Sequence, residues 1–324
     1  MPKIADWDDQ IGRRLRLRDL RVLFAVVQSG SLAKAAVELR VSQPAVSQVV
    51  SNLEHALGVR LVDRNSRGVE PTLYARALLA RGRAAFDELR QGIRDIEFLA
   101  NPTAGELTLG YPESLTATVL PKMVERFSEQ YRRVVLRGDI VAAPSYKCQG
   151  LRERTHDLIL TPMPPDDYPV NDLNVEVLFD DPWVVVAGKH TAWARRRSID
   201  LGELIDEPWL MSPADTESYT QVADAFTARG LGLPRASMVT YSLHLRAKLA
   251  GRGRFITIVP KSMLQHDSEG RRLKMLPVDV PTRPFLVTVM TLKNRTLSPV
   301  VERFIECARE VTRQMREGRT TSKR

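Results

Sequence analysis

Three short apolar faces, each bounded by capping residues, constrain the first 58 positions of this chain more tightly than any other feature of it. Leu17, Leu20, Phe24 and Val27 recur at spacings of 3, 4 and 3, one face of a helix. Ser29-Gly30 ends that helix. Ser31 then caps a short second helix that turns Leu32, Ala35, Ala36 and Leu39 inward. Arg40-Val41 leaves room only for a tight connection. Ser42 caps a third helix, and Pro44 lies in its first turn, where a missing N–H costs nothing. Val46, Val49, Val50, Leu53 and Leu57 form its apolar face, and Gly58 ends it. A short helix, a tight turn and a longer helix make a helix-turn-helix.

The other face of the third helix carries Gln43, Ser47, Gln48 and Ser51. Solvated helix faces usually hold Glu and Lys, whereas Gln and Ser can hydrogen-bond base edges in a major groove. A merely polar face is the alternative, and the surrounding charge argues against it. From Arg13 to Arg67 there are 10 basic residues (Arg13, Arg14, Arg16, Arg18, Arg21, Lys34, Arg40, Arg60, Arg64, Arg67) and 4 acids. That segment therefore holds +6 of the chain's formal +9, which points to a polyanionic partner. After Gly58, Leu61–Arg64 and Val69-Glu70 read as short extended arms about the turn Asn65-Ser66-Arg67-Gly68. This wing places Arg64 and Arg67 to reach phosphates or the minor groove.

Ser-Leu-Ala-Lys-Ala-Ala at 31–36, Val-Ser-Gln-Pro-Ala-Val-Ser at 41–47, Leu-Glu at 53–54 and Leu-Gly-Val-Arg-Leu-Val-Asp-Arg at 57–64 closely resemble the LysR-type transcriptional regulators. The resemblance implies base contacts by Gln43, Pro44 and Ser47 and a wing contact by Arg67. Gln48 stands where such regulators often carry a basic residue. The candidate DNA-contacting set is Ser42, Gln43, Pro44, Ser47, Gln48, Ser51, Arg64 and Arg67.

Pro71 can open a long helix from about Thr72 to Leu99, stopped by Asn101-Pro102. Phe86, Leu89, Ile93 and Ile96 recur at 3, 4 and 3, an a/d seam expected to pair with a second copy as dimer or tetramer. Beyond Glu106, short β-rich runs alternate with helices such as Thr116–Gln130, Pro144–Glu153 and Ser298–Arg316. That alternation predicts α/β units around mostly parallel sheets. The region also resembles the effector domain of the same regulators, which looks like a type II periplasmic-binding-protein fold. Its landmarks are Leu-Pro at 120–121, Leu178-Phe179-Asp180, Pro208-Trp209 and Ile256 to Pro260.

The fold class expected is thus multidomain α and α/β. A winged helix-turn-helix spans 13–71, a linker helix 72–100 and a two-lobed effector-binding domain 103–316. Lobe I is expected at about 103–168 and 292–316, lobe II at about 169–291, and a frayed basic tail at 317–324. A ligand in such a fold sits at strand carboxyl ends and helix amino ends. Ser114, Thr116, Ser145, Ser212, Tyr241, Ser242 and Phe255 fall at such places. Hydroxyls at helix amino ends favour anions, so the expected effector is a small anionic metabolite. Each hydroxyl is otherwise a simple N-cap.

The two cysteines, Cys148 and Cys307, exclude a disulfide framework and a four-cysteine zinc site and fit a reducing cytoplasm. No apolar run approaches the roughly 18 residues of a membrane helix. The five scattered histidines lack metal-ligand spacing, and no catalytic motif is present, so no cofactor, metal or enzymatic activity is expected. The expected partners are promoter DNA, the effector, a second copy of the chain and, among proteins, RNA polymerase. A solute-binding protein on the same sensor fold and a constitutive DNA-binding repressor without ligand are the alternatives.

Overall fold

The computed structural model describes residues 13–65, 68–101, 103–141, 147–163, 171–266, 270–280 and 285–321. The chain divides into two compact units, Met1–Ile93 and Arg94–Arg324.

In the first unit, helices α1 (Leu17–Ser29), α2 (Leu32–Leu39) and α3 (Gln43–Leu57) pack around Leu23, Val26, Ala35, Val46, Val50 and Leu53. The predicted caps form. Ser31 Oγ accepts from Lys34 N at 3.4 Å and Ser42 Oγ from Ala45 N at 3.4 Å. The connection between α2 and α3 is closed by Arg40 in the left-handed region (φ 56°) and by Val41 N donating to Ala36 O at 3.0 Å. Strands β1 (Val62–Asn65) and β2 (Gly68–Pro71) pair antiparallel as the wing. Gly68 is required there: its φ is +131°, and a Cβ would meet Gly30 O at 2.5 Å.

Helix α4 runs from Leu73 to Ala100, with Thr72 Oγ1 accepting from Ala75 N at 3.2 Å. Ala75 and Leu79 belong to the head's core. Phe86 also turns to the head, edge-on to Phe24 at 5.9 Å, which removes it from the expected seam. The exposed stripe is instead Leu89 (52%), Ile93 (59%) and Ile96 (68%), with Leu99 one turn on.

The second unit contains β3 (Ala104–Tyr111), α5 (Glu113–Thr116), α6 (Leu120–Gln130), β4 (Arg133–Ile140), α7 (Gln149–Arg152), β5 (Leu158–Met163) and β6 (Leu173–Asp180). It continues with β7 (Trp183–Gly188), β8 (Trp209–Met211), α8 (Glu217–Thr227), β9 (Ala236–Val239), α9 (Leu243–Ala250) and β10 (Thr257–Pro260). Then come α10 (Met263–His266), β11 (Leu273–Met275), β12 (Leu286–Leu292) and α11 (Pro299–Thr321).

The sheets are mixed rather than mostly parallel. In the five-stranded sheet, ordered β4-β3-β5-β12-β6, β3 runs parallel to β4 and β5, while β12 is antiparallel to both β5 and β6. The reason is that β6 leads out to the second lobe and β12 leads back, so the two lie side by side in opposite directions. Both strands therefore belong to lobe I's sheet, and Leu178, Phe179, Val287 and Val289 sit in its core. This corrects the lobe limits of 168/169 and 291/292. Lobe II has its own core about Trp183, Trp209, Phe226 and Ile258, with antiparallel β10-β7-β11 and parallel β8-β9.

Three further expectations are corrected. The helix expected over Thr116–Gln130 breaks at residues 117–119. There Thr118 Oγ1 bonds back to the carbonyls of Ser114 and Leu115, and α6 restarts with Pro121 in its first turn. The helix expected over Pro144–Glu153 is limited among described residues to Gln149–Arg152, because Cys148 adopts a left-handed conformation (φ 47°). Helix α11 continues to Thr321, so the first five residues of the expected basic tail are helical.

Candidate functional site

The first candidate surface is the face of α3 that the core leaves free. Ser42, Gln43, Pro44, Gln48 and Ser51 are exposed and Ser47 is half-buried. Gln48 Nε2 donates to Asn52 Oδ1 at 2.8 Å one turn on. Arg64 Nη2 donates to Ser47 Oγ at 3.5 Å, so the wing reaches the reading helix directly. Arg67 lies outside the described residues. Arg13, Arg14, Arg16, Arg18, Arg21, Lys34, Arg40, Arg60 and Arg64 are all exposed, which leaves their charge available to phosphates.

Glu54 is an organising residue whose role the sequence pattern alone did not show. Its Oε1 accepts from Leu61 N at 2.8 Å and Val62 N at 3.2 Å, clamping the first wing strand to the back of α3. Val69 N donates to Gly30 O at 2.9 Å and fixes the second strand to the end of α1. The wing is thereby tied by hydrogen bonds to both α3 and α1.

The second candidate surface is the junction of the two lobes. Glu113, at the carboxyl end of β3, places its carboxylate on the amino end of α9. Oε1 accepts from Ser242 Oγ at 3.1 Å and His244 N at 3.3 Å, and Oε2 from Leu243 N at 2.8 Å. Thr116 Oγ1 donates to Glu113 O at 2.6 Å, so at 3.2 Å it accepts from His244 Nε2. One turn beyond Ser242, Arg246 is 2% exposed. Its Nη1 reaches Thr257 Oγ1 and Ile258 O, each at 3.3 Å, and its buried Nε has no hydrogen-bond partner in the described residues. Burial pulls the guanidinium down to about 10, against the opposing pull of the Glu113 charge.

The expected cleft residues thus divide. Thr116 and Ser242 meet at the junction, with Ser114 beside Glu113. Ser212 is buried and shares a hydrogen bond with Ser218, so its hydroxyl is engaged within lobe II. Tyr241 is exposed, and its hydroxyl donates to both carboxylate oxygens of Asp215, at 2.9 and 2.8 Å. Phe255 is half-buried, with the Arg254 guanidinium 5.7 Å from its ring centre. Ser145 lies outside the described residues. Glu113 and Arg246 were not anticipated. The available signals were an acid directly before Ser114, and an Arg four residues past Ser242 on the same helical face.

Neither cysteine has the setting of a reactive thiol. Cys148 is buried, 3.3 Å from Met290 Sδ, and burial pushes its thiol up to about 12. Cys307 is likewise pushed up to about 11. Among the described residues no group of three or more His, Cys, Asp or Glu could hold a metal ion. No described helix is long and apolar enough to cross a membrane.

Comparison with known proteins bears on both surfaces. Residues 17–76 match the model "Bacterial regulatory helix-turn-helix protein, lysR family", and residues 100–313 match "LysR substrate binding domain". The transcriptional regulator TdcA of Escherichia coli is 24% identical over 300 residues, covering 91% of this chain and 93% of its own. The RuBisCO operon transcriptional regulator of Allochromatium vinosum is 28% identical over 291 residues, covering 90% and 94%. A full-length point variant of OxyR from Pseudomonas aeruginosa superposes with a TM-score of 0.61 at 21% identity, over 92% of this chain and 95% of that one. Full-length CbnR complexed with its target DNA gives 0.60 at 20% identity, over 92% and 100%. With a recognition helix, a wing and a two-lobed domain each matched in order, this chain belongs to the LysR-type transcriptional regulators, a family of DNA-binding proteins and not of enzymes.

Proposed function

We propose that this regulator reads promoter DNA with Gln43, Pro44 and Ser47, with Gln48 and Ser51 beside them and Ser42 holding the helix start. The basic residues around that face, with Arg64 and Arg67 on the wing, grip phosphates. The observation that carries the reading is a neutral, exposed polar face on α3, touched by Arg64 from the wing, in a segment that carries nine exposed basic side chains. Neutral amides and hydroxyls discriminate base edges, and arginines grip the backbone without regard to sequence. The stripe Leu89, Ile93 and Ile96 supports self-association through α4, which brings two heads to two half-sites. A small anionic metabolite bound between the lobes would bias one of two states of the assembly. Footprinting on the DNA upstream of the regulated gene tests the reading. Two protected half-sites spaced by whole helical turns are expected. Salt-sensitive protection without sequence preference would reduce the chain to a generic basic protein.

A second reading is favoured by one observation. Glu113 already fills the helix amino end at which an anion would sit, as it would in a constitutive repressor that takes no ligand.

A further inference from the structure

We propose that lobe II carries a second DNA-contacting surface, a basic patch assembled from three separate segments that grips the phosphate backbone of duplex outside the half-sites read by α3. This goes beyond the proposed function, which places every DNA contact in the head.

Positions 189–197, 248–254 and 271–274 hold 10 Lys or Arg and no Asp or Glu in 20 residues, and all ten basic side chains are exposed. The fold brings these segments to one end of lobe II. Leu273 pairs with Gly188 and Lys274 with Ala187 where β11 lies beside β7, and Lys189 N donates to Arg272 O at 3.0 Å. The turn after α9 packs onto the same corner. A Cβ at Gly188 would meet Gly253 Cα at 2.9 Å and Ala250 O at 3.0 Å, and one at Gly251 would meet Arg272 Cβ at 3.2 Å. Glycine at 188 is thus what lets the second segment approach the first. The patch is separate from the lobe junction. Ser242 and Leu243, at the start of α9, meet Glu113, whereas the patch lies past Ala250 at the other end of that helix, roughly 12 Å along its axis.

Few acids stand against this charge. Arg196 pairs with Glu203 at 3.0 Å. Asp267 and Glu269 precede the third segment in the sequence and lie outside the described residues. With all three acids set against the ten bases the surplus is +7, beside +6 for the segment Arg13–Arg67. Like charges gathered on one surface repel each other, and a bound polyanion relieves that repulsion while shedding its own counterions. Seven of the ten are arginines, whose planar fork takes phosphate oxygens in pairs. No exposed large apolar side chain falls in the three segments, so the patch lacks the anchors of a protein interface. The rings of Trp193 and Phe255 are half-buried, with the guanidinium carbons of Arg196 and Arg254 at 5.9 and 5.7 Å from their centres. They hold arginines in place rather than offering an apolar surface. A chain already held on DNA by its head meets further duplex at high effective concentration, which makes DNA the polyanion that fits.

The test uses the full-length chain and two duplexes, the footprinted half-sites alone and the same site extended by about three helical turns on each side. Arg197→Gln, Arg252→Gln and Arg271→Gln together remove one charge from each segment. On the extended duplex this variant's plot of log affinity against log salt should be shallower by about 2–3, and its affinity about tenfold lower at low salt. On the half-sites alone it should bind like the parent. Lysine at the same three positions should restore the slope, since charge carries the contact. Equal slopes and affinities of parent and variant on the extended duplex would overturn the proposal, even where the variant loses binding to an acidic protein. A loss that the lysines do not restore would overturn it too, and an equal loss on the half-sites alone would overturn the placement outside them. If the triple variant's thermal midpoint falls by more than about 2 °C, Arg197→Gln alone replaces it, with an expected slope change of about 0.9. Random duplex of the extended length separates this contact from base reading, because the slope difference should persist there whether or not α3 recognises a half-site.

Discussion

Single residues in this chain act mainly through what their burial does to their chemistry. Cys148 is the plainest case. Its thiol sits against Met290 and is pushed up to about 12, from an ordinary value of 9.0. A raised folded value means that the protonated thiol favours the folded state. That stability is fully present below about pH 9 and is lost as pH rises toward about 12. In the folded protein at pH 8, iodoacetamide should alkylate Cys148 far more slowly than in denaturant. Rapid labelling of the native chain, followed by mass spectrometry of the peptide, would contradict this. Asp157 is a buried acid set among cations. Arg295 Nη2 reaches Oδ1 at 2.8 Å, Arg94 Nη1 reaches it at 3.3 Å, and Thr108 N donates to Oδ2 at 2.9 Å. Asp157→Asn leaves two guanidinium groups around an uncharged side chain, and should cost about 3–5 kcal/mol in urea unfolding. A loss within ~0.5 kcal/mol would show that the cluster is not holding this part of lobe I.

At the level of elements, the caps and apolar spacings carried most of the information. Helices α1, α2 and α3, the serine caps of α2 and α3 and the wing were all readable, because each depends on residues a few positions apart. The split of Thr116–Gln130 was not readable, since it turns on Thr118 bonding back to carbonyls that a continuous helix would have used itself. Nor was the short strand Leu273–Met275, whose three residues are too few for a period to register. The long helix α4 was legible as a helix but not in its faces, because Phe86 is claimed by Phe24 through tertiary packing. The remaining stripe makes a prediction at this scale. Ile93→Glu places a charge in the middle of the exposed apolar run. It should shift the protein toward monomer in analytical ultracentrifugation and weaken binding to paired half-sites by about tenfold or more. Unchanged sedimentation would remove α4 from the self-association surface.

For the whole molecule, the proposed division of labour between charge and neutral polarity rests on the first third of the sequence. The lobe junction was not legible in the sequence. Glu113 meets α9 across a long stretch of the effector domain's sequence, and no local pattern encodes such a pairing; only the fold brings the end of β3 to the start of that helix. Strand direction was missed for the same reason, since β6 and β12 are adjacent only because the chain leaves lobe I and returns. The proposed function depends on α3 reading bases while the basic residues only hold the backbone. Binding of Gln43→Ala and Ser47→Ala to the footprinted site and to random DNA of equal length, across a salt series, tests that division most directly. Each substitution should cost about 1–3 kcal/mol on the cognate site and almost nothing on random DNA, while Arg67→Ala weakens both and lowers the salt slope by about 1. Equal losses on cognate and random DNA for Gln43→Ala would contradict it.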